Sequence, residues 1–109
     1  MSTWPKLADV RSWLRLAPDP TEDAIIDTAR VAAISYGIRR TGGIWSVDSA
    51  DVDDLAVLAC TMHAGRLYRR RDSMDGTLGF GDMGVVRVGR GDPEIEGLYA
   101  QVGPGLVVG

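Results

Sequence analysis

The strongest constraint in this chain is one long apolar stripe. Val52, Leu55, Ala59, Met62 and Arg66 follow one another at steps of three and four residues, and Leu58 and Leu67 widen the row. This spacing predicts a helix from about Ser49 to Arg71. Asp51, Asp53 and Asp54 fall in its first turn, and Arg69, Arg70 and Arg71 in its last. Each sign opposes the partial charge of the helix end where it sits.

Three further helical segments surround this one. The first covers Leu7 to Leu14, with Leu7, Val10 and Leu14 in register and Trp13 beside them, and Ala17-Pro18-Asp19-Pro20 breaks it off. At the second, Asp19 can accept from free backbone amides, Pro20 suits the first helical position, and Glu22 completes a capping-box-like pattern. Ile25, Ile26, Ala29, Ala32, Ala33 and Tyr36 form its apolar face, whose small residues allow another helix close. It ends at Arg39-Arg40, before Thr41-Gly42-Gly43. Asp92-Pro93 repeats the cap-plus-proline start, and Ile95, Leu98, Tyr99 and Val102 outline a short last helix.

The remainder is irregular. Residues 76–91 are glycine-rich and hold Val85-Val86-Arg87-Val88, a β-prone run expected as a short strand or hairpin arm with Phe80, Met83, Val85, Val86 and Val88 as its apolar residues. Gly103-Pro104-Gly105 stops the last helix and leaves the apolar Leu106, Val107 and Val108 before Gly109. That tail either folds back on its own domain or packs on a neighbour. The expected fold is mainly α: a small bundle of about four helices with a Gly-rich β-arm and an extended C-terminal tail. Residues 1–109 form a single domain, divided into a helical core (1–75), the arm (76–91), the short terminal helix (92–102) and the tail (103–109).

Composition removes several classes. With 109 residues, 45% apolar and 25% charged, the chain suits one globular core rather than disorder throughout. No apolar run approaches the roughly 20 residues of a membrane helix, and Met1-Ser2-Thr3-Trp4-Pro5-Lys6 lacks a signal-like stretch, so cytoplasmic synthesis is expected. The lone Cys60 allows no internal disulfide and reads as a buried apolar residue. A net charge of −3 argues weakly against nucleic acid as the main partner.

Few motifs suggest chemistry. Gly79-Phe80-Gly81-Asp82-Met83-Gly84 has dinucleotide-loop spacing, but a valine-rich strand follows it where a helix N-terminus is needed, so it reads as part of the arm. Arg90-Gly91-Asp92 spells an adhesion tripeptide, yet Asp92 is better explained as a helix cap. His63, the single histidine, has Ala59 and Leu67 four residues to either side, so it reads as a polar or half-buried helix residue. No catalytic residue, metal site or cofactor is expected. The cluster Arg66, Arg69, Arg70 and Arg71, with Tyr68 among it, admits three readings: phosphate contacts, pairs with a neighbouring subunit's carboxylates, or a solvated helix end.

The succession of segments resembles a known family. Leu7-Ala8-Asp9-Val10-Arg11-Ser12-Trp13-Leu14-Arg15-Leu16 is similar to the short first helix of the head-to-tail connector (adaptor) proteins of long-tailed bacteriophages. The acidic, capped Glu22-Asp23-Ala24-Ile25-Ile26-Asp27-Thr28-Ala29-Arg30 follows as in that family. Next come Asp54-Leu55-Ala56-Val57-Leu58-Ala59, the aromatic-plus-arginine ending Leu67-Tyr68-Arg69-Arg70-Arg71-Asp72-Ser73, and Asp92-Pro93-Glu94-Ile95. The resemblance spans nearly the whole chain and departs mainly in residues 76–91 and 106–109. It implies a structural virion protein, not an enzyme, that forms a homo-oligomeric ring, typically dodecameric, beneath the portal at the virion neck. Its partners would be the portal protein, a stopper or tail protein, and DNA passing through the channel without sequence-specific binding, with no membrane involved. It would occupy the host cytoplasm during assembly. Arg66, Arg69, Arg70, Arg71, Leu106, Val107 and Val108 would then be subunit or portal contacts, and Asp19 and Asp92 structural caps. The competing reading is a small helix-turn-helix-like DNA-binding regulator using the arginine cluster, against which the long connection from Thr41 to about Ser49 counts.

Overall fold

The computed structural model describes residues 2–73 and 92–102, with the backbone alone for 71–73. Four α-helices make up the described fold: α1 (Leu7–Leu14), α2 (Pro20–Arg40), α3 (Asp54–Ser73) and α4 (Pro93–Ala100). The chain is thus mainly α. The expected β-arm over 76–91 and tail over 103–109 lie outside the described residues, as do Phe80, Met83, Val85, Val86, Val88, Leu106, Val107 and Val108.

The helix starts follow their caps. Asp19 Oδ1 accepts from the amides of Thr21 and Glu22, at 2.9 and 3.4 Å. The Glu22 carboxylate, expected to complete a capping box, accepts instead from the hydroxyl of Tyr68 on α3. Asp92 Oδ1 accepts from the Ile95 amide at 3.2 Å, with Pro93 at the first position of α4. Two glycines close α2: Gly42 and Gly43 have φ of +78° and +75°, values that strain other residues. Their amides return to the carbonyls of Arg39 and Ile38.

The start of α3 differs from expectation. It begins at Asp54 rather than near Ser49, and Asp53 is its cap, with Oδ1 accepting from the Leu55 amide at 2.8 Å. Asp51 and Asp53 therefore precede the first turn. Val52 keeps its apolar role by another route: it is fully buried, and its backbone bridges to Ser2 through N–H···O contacts of 2.8 and 3.3 Å. This bridge is the one β-type pairing among the described residues, and there is no strand.

At the centre stands α3, in contact with α1, α2 and α4. Every residue from Ala59 to Gly65 is buried, so the helix is enclosed all round where a one-sided stripe was expected. Small side chains at Ala59, Cys60, Ala64 and Gly65 make this possible. On α2 the buried face is Ile26, Ala29, Ala33, Ile34 and Gly37. A Cβ on Gly37 would sit 2.5 Å from Tyr99 Oη and 3.1 Å from two Trp4 ring atoms, so glycine there lets both aromatics reach the core. Trp4 itself is buried, donates to the Ser46 carbonyl at 3.0 Å, and meets Trp45 edge-on with ring centroids 6.3 Å apart.

Candidate interaction site

The structure divides the arginine cluster. Arg66 is half-buried and works inside the subunit: Nη1 donates to Asp92 Oδ2, and Nη2 donates to Glu94 Oε1 at 2.6 Å. Hydrogen bonds to Glu94 and Asp92 raise its pKa further above the ordinary arginine range. Arg66, expected at a subunit or portal contact, is thus engaged with its own α4, because helical spacing points it back along α3 toward the start of that helix. Arg69 and Arg70 are exposed near the end of α3, while the side chain of Arg71 lies outside the described residues. Tyr68 turns inward to Glu22.

Several large apolar side chains are also exposed. Trp13 on α1 is 47% exposed although the Cα of Gly65 lies under its indole, and Leu16 and Leu58 are also exposed. Arg15, between Trp13 and Leu16, closes α1 in the left-handed region with φ 61°. Val31, Ile44 and Val47 are exposed on α2 and the following loop. In that loop a cleft of 270 Å³ is lined by Trp45, Asp51, Val52, Asp53 and Asp54. Among the described residues no group of three or more His, Cys, Asp or Glu is placed to hold a metal, and no helix is long and apolar enough to cross a membrane.

A half-buried polar cluster at α4 escaped the sequence reading. Tyr36 on α2 donates to Glu96 Oε2, and Arg40 Nε donates to Glu96 Oε1 at 2.8 Å. Burial, reinforced by the Glu96 hydrogen bond, pushes the Tyr36 hydroxyl up to about 12. For Asp92, burial acts to raise the pKa, but hydrogen bonds from Arg66 and the Ile95 amide outweigh it and hold the carboxyl below its ordinary value. His63, expected to be polar or half-buried, is wholly enclosed. Its ring meets Tyr36 edge-on at 5.0 Å, and neither ring nitrogen has a hydrogen-bond partner. Desolvation lowers its pKa to about 4. Cys60 is buried as expected, beside the Tyr99 hydroxyl, and burial pushes its thiol up to about 12. The sequence signal for this cluster was weak, since Tyr36, Arg40 and Glu96 are far apart in the chain and each suits a solvated helix face.

Comparison with family models, with curated proteins and with solved structures returns no match to this chain, so its functional reading rests on its own residues.

Proposed function

We propose that the chain is a head-to-tail adaptor subunit of a long-tailed bacteriophage, a structural protein that forms a ring beneath the portal. In this reading the ring continues the DNA channel and offers its lower surface to a stopper or tail protein. One observation carries it: four successive segments resemble the connector family in order and spacing, and most of their residues lie on the four helices of the fold. Two features of the surface support it. Arg69 and Arg70 project near one end of the central helix, suited to carboxylates on a neighbouring copy. Trp13, Leu16 and Leu58 add apolar area of the kind interfaces use. The net charge of −3 also suits a channel through which DNA must slide, since strong phosphate neutralisation would hold it.

The regulator reading is disfavoured by the connection between α2 and α3. It spans residues 41–53, well beyond the short turn of a helix-turn-helix. Size-exclusion chromatography with light scattering, run with and without the portal, tests the proposal. The expected result is a ring, alone or on the portal. A stable dimer that ignores the portal and binds duplex DNA in a salt-sensitive way would overturn it.

A further inference from the structure

His63 occupies a place that gives a titratable ring no partner. It sits on the face of α3 where α2 and α4 converge, fully enclosed, with both nitrogens unpaired. The titratable and charged groups around it come from three helices. On α2 these are Tyr36 and Arg40, and on α3 itself Cys60 and Arg66. On α4 they are Asp92, Glu94, Glu96 and Tyr99. At Gly65, α1 meets α3 through Trp13 and Leu14.

Two polar contacts hold α4 in this position. At its start, Arg66 grips Asp92 and Glu94, and one turn on Tyr36 and Arg40 grip Glu96. We propose that α4 is a proton-linked clasp, docked on α2 and α3 while His63 is neutral and released when His63 takes up a proton.

An imidazolium at this position must find acceptors. A buried cation needs water or a carboxylate. The two carboxylates that attract it are Asp92 and Glu96. Both are committed, Asp92 to Arg66 and the Ile95 amide, Glu96 to Tyr36 and Arg40. Both also lie on α4. Water reaches the ring only if α4 lifts, and a carboxylate turns to the ring only by leaving a contact that holds α4 down. Either route loosens the same helix. At neutral pH the clasp counts three carboxylates against two guanidinium groups, so it is burial and not the surrounding charge that keeps the enclosed ring neutral.

Amide hydrogen exchange on the intact chain, corrected for the intrinsic pH dependence of exchange, tests this at pH 7 and pH 5. A ring that titrates at about 4 when enclosed and about 6.5 when released predicts a fall of about twentyfold in protection of the Gly97–Ala100 amides from pH 7 to pH 5. Those amides should open more readily than the α2 and α3 amides at both pH values. In His63→Phe the fall should vanish, and His63→Gln serves the same purpose if the larger ring disturbs folding. Protection of α4 that stays flat in the wild type would overturn the proposal. So would a fall that persists in both variants, or α4 amides that exchange only with the whole fold.

Discussion

At the scale of single residues, two glycines make opposite predictions. Gly37 is buried, and a methyl group there meets Tyr99 Oη at 2.5 Å and the Trp4 ring at 3.1 Å, both anchored in the core. Overpacking costs about 1–3 kcal/mol, more than the roughly 1 kcal/mol alanine gains in helix propensity. Gly37→Ala should therefore lose up to about 2 kcal/mol in denaturant unfolding. Gly97 on α4 is exposed and a Cβ there meets nothing within 4 Å, so Gly97→Ala should gain about 0.5–1 kcal/mol. His63 sets a pH dependence of stability. Its folded pKa of about 4 lies below the unfolded value, so between the two the unfolded chain binds the extra proton. The His63 contribution is full well above pH 6.5, falls as the pH drops, and levels off below 4, a total of about 3 kcal/mol at 1.36 kcal/mol per pH unit. Urea unfolding at pH 7, 5 and 4 checks this, and His63→Phe should flatten the profile over that range.

Among the elements, α4 depends most on a few contacts. Ile95 and Tyr99 bury its apolar side and Val102 follows just beyond its end, each worth about 1.5–3 kcal/mol. Asp92 caps the helix and pairs with Arg66 through a side chain only 5% exposed, so one carboxylate serves two purposes. Asp92→Ala should cost about 2–3 kcal/mol in thermal unfolding, above a simple cap, because the charged hydrogen bond goes as well. Asp92→Asn keeps the acceptor for Ile95 and should cost about half as much. Equal losses in the two variants would show that the ion pair, not the cap, holds the start of α4. The beginning of α3 shows how a periodic pattern misleads. Val52 lies in register with the helical stripe yet reaches the core from an extended segment paired with Ser2, because burial can be met by either backbone form.

For the whole molecule, the outward arginines carry the assembly prediction. Arg69 and Arg70 are exposed, so replacing both with alanine should shift unfolding by no more than about 1 kcal/mol and leave the helical circular-dichroism signal unchanged. Ring formation or portal docking should fail in the same variant. Normal assembly together with lost duplex binding would favour the DNA-binding regulator. Local chemistry was enough to determine the number and limits of most helices. Asp19-Pro20 and Asp92-Pro93 set two starts and Gly42-Gly43 one stop, since caps, proline and left-handed glycine act through neighbouring backbone groups. The class of Cys60 was legible for a related reason: a small apolar side chain on a helical pattern has few places to go. Only the tertiary structure could decide that the middle of α3, Ala59 to Gly65, is enclosed on every side, that Trp4 belongs to the core, that Arg66 clasps α4, and that His63 lies buried without a partner. These depend on residues far apart in the chain meeting in space, 26 positions for Arg66 and Asp92 and 42 for Trp4 and Ser46, and helical periodicity carries no information on which faces will converge.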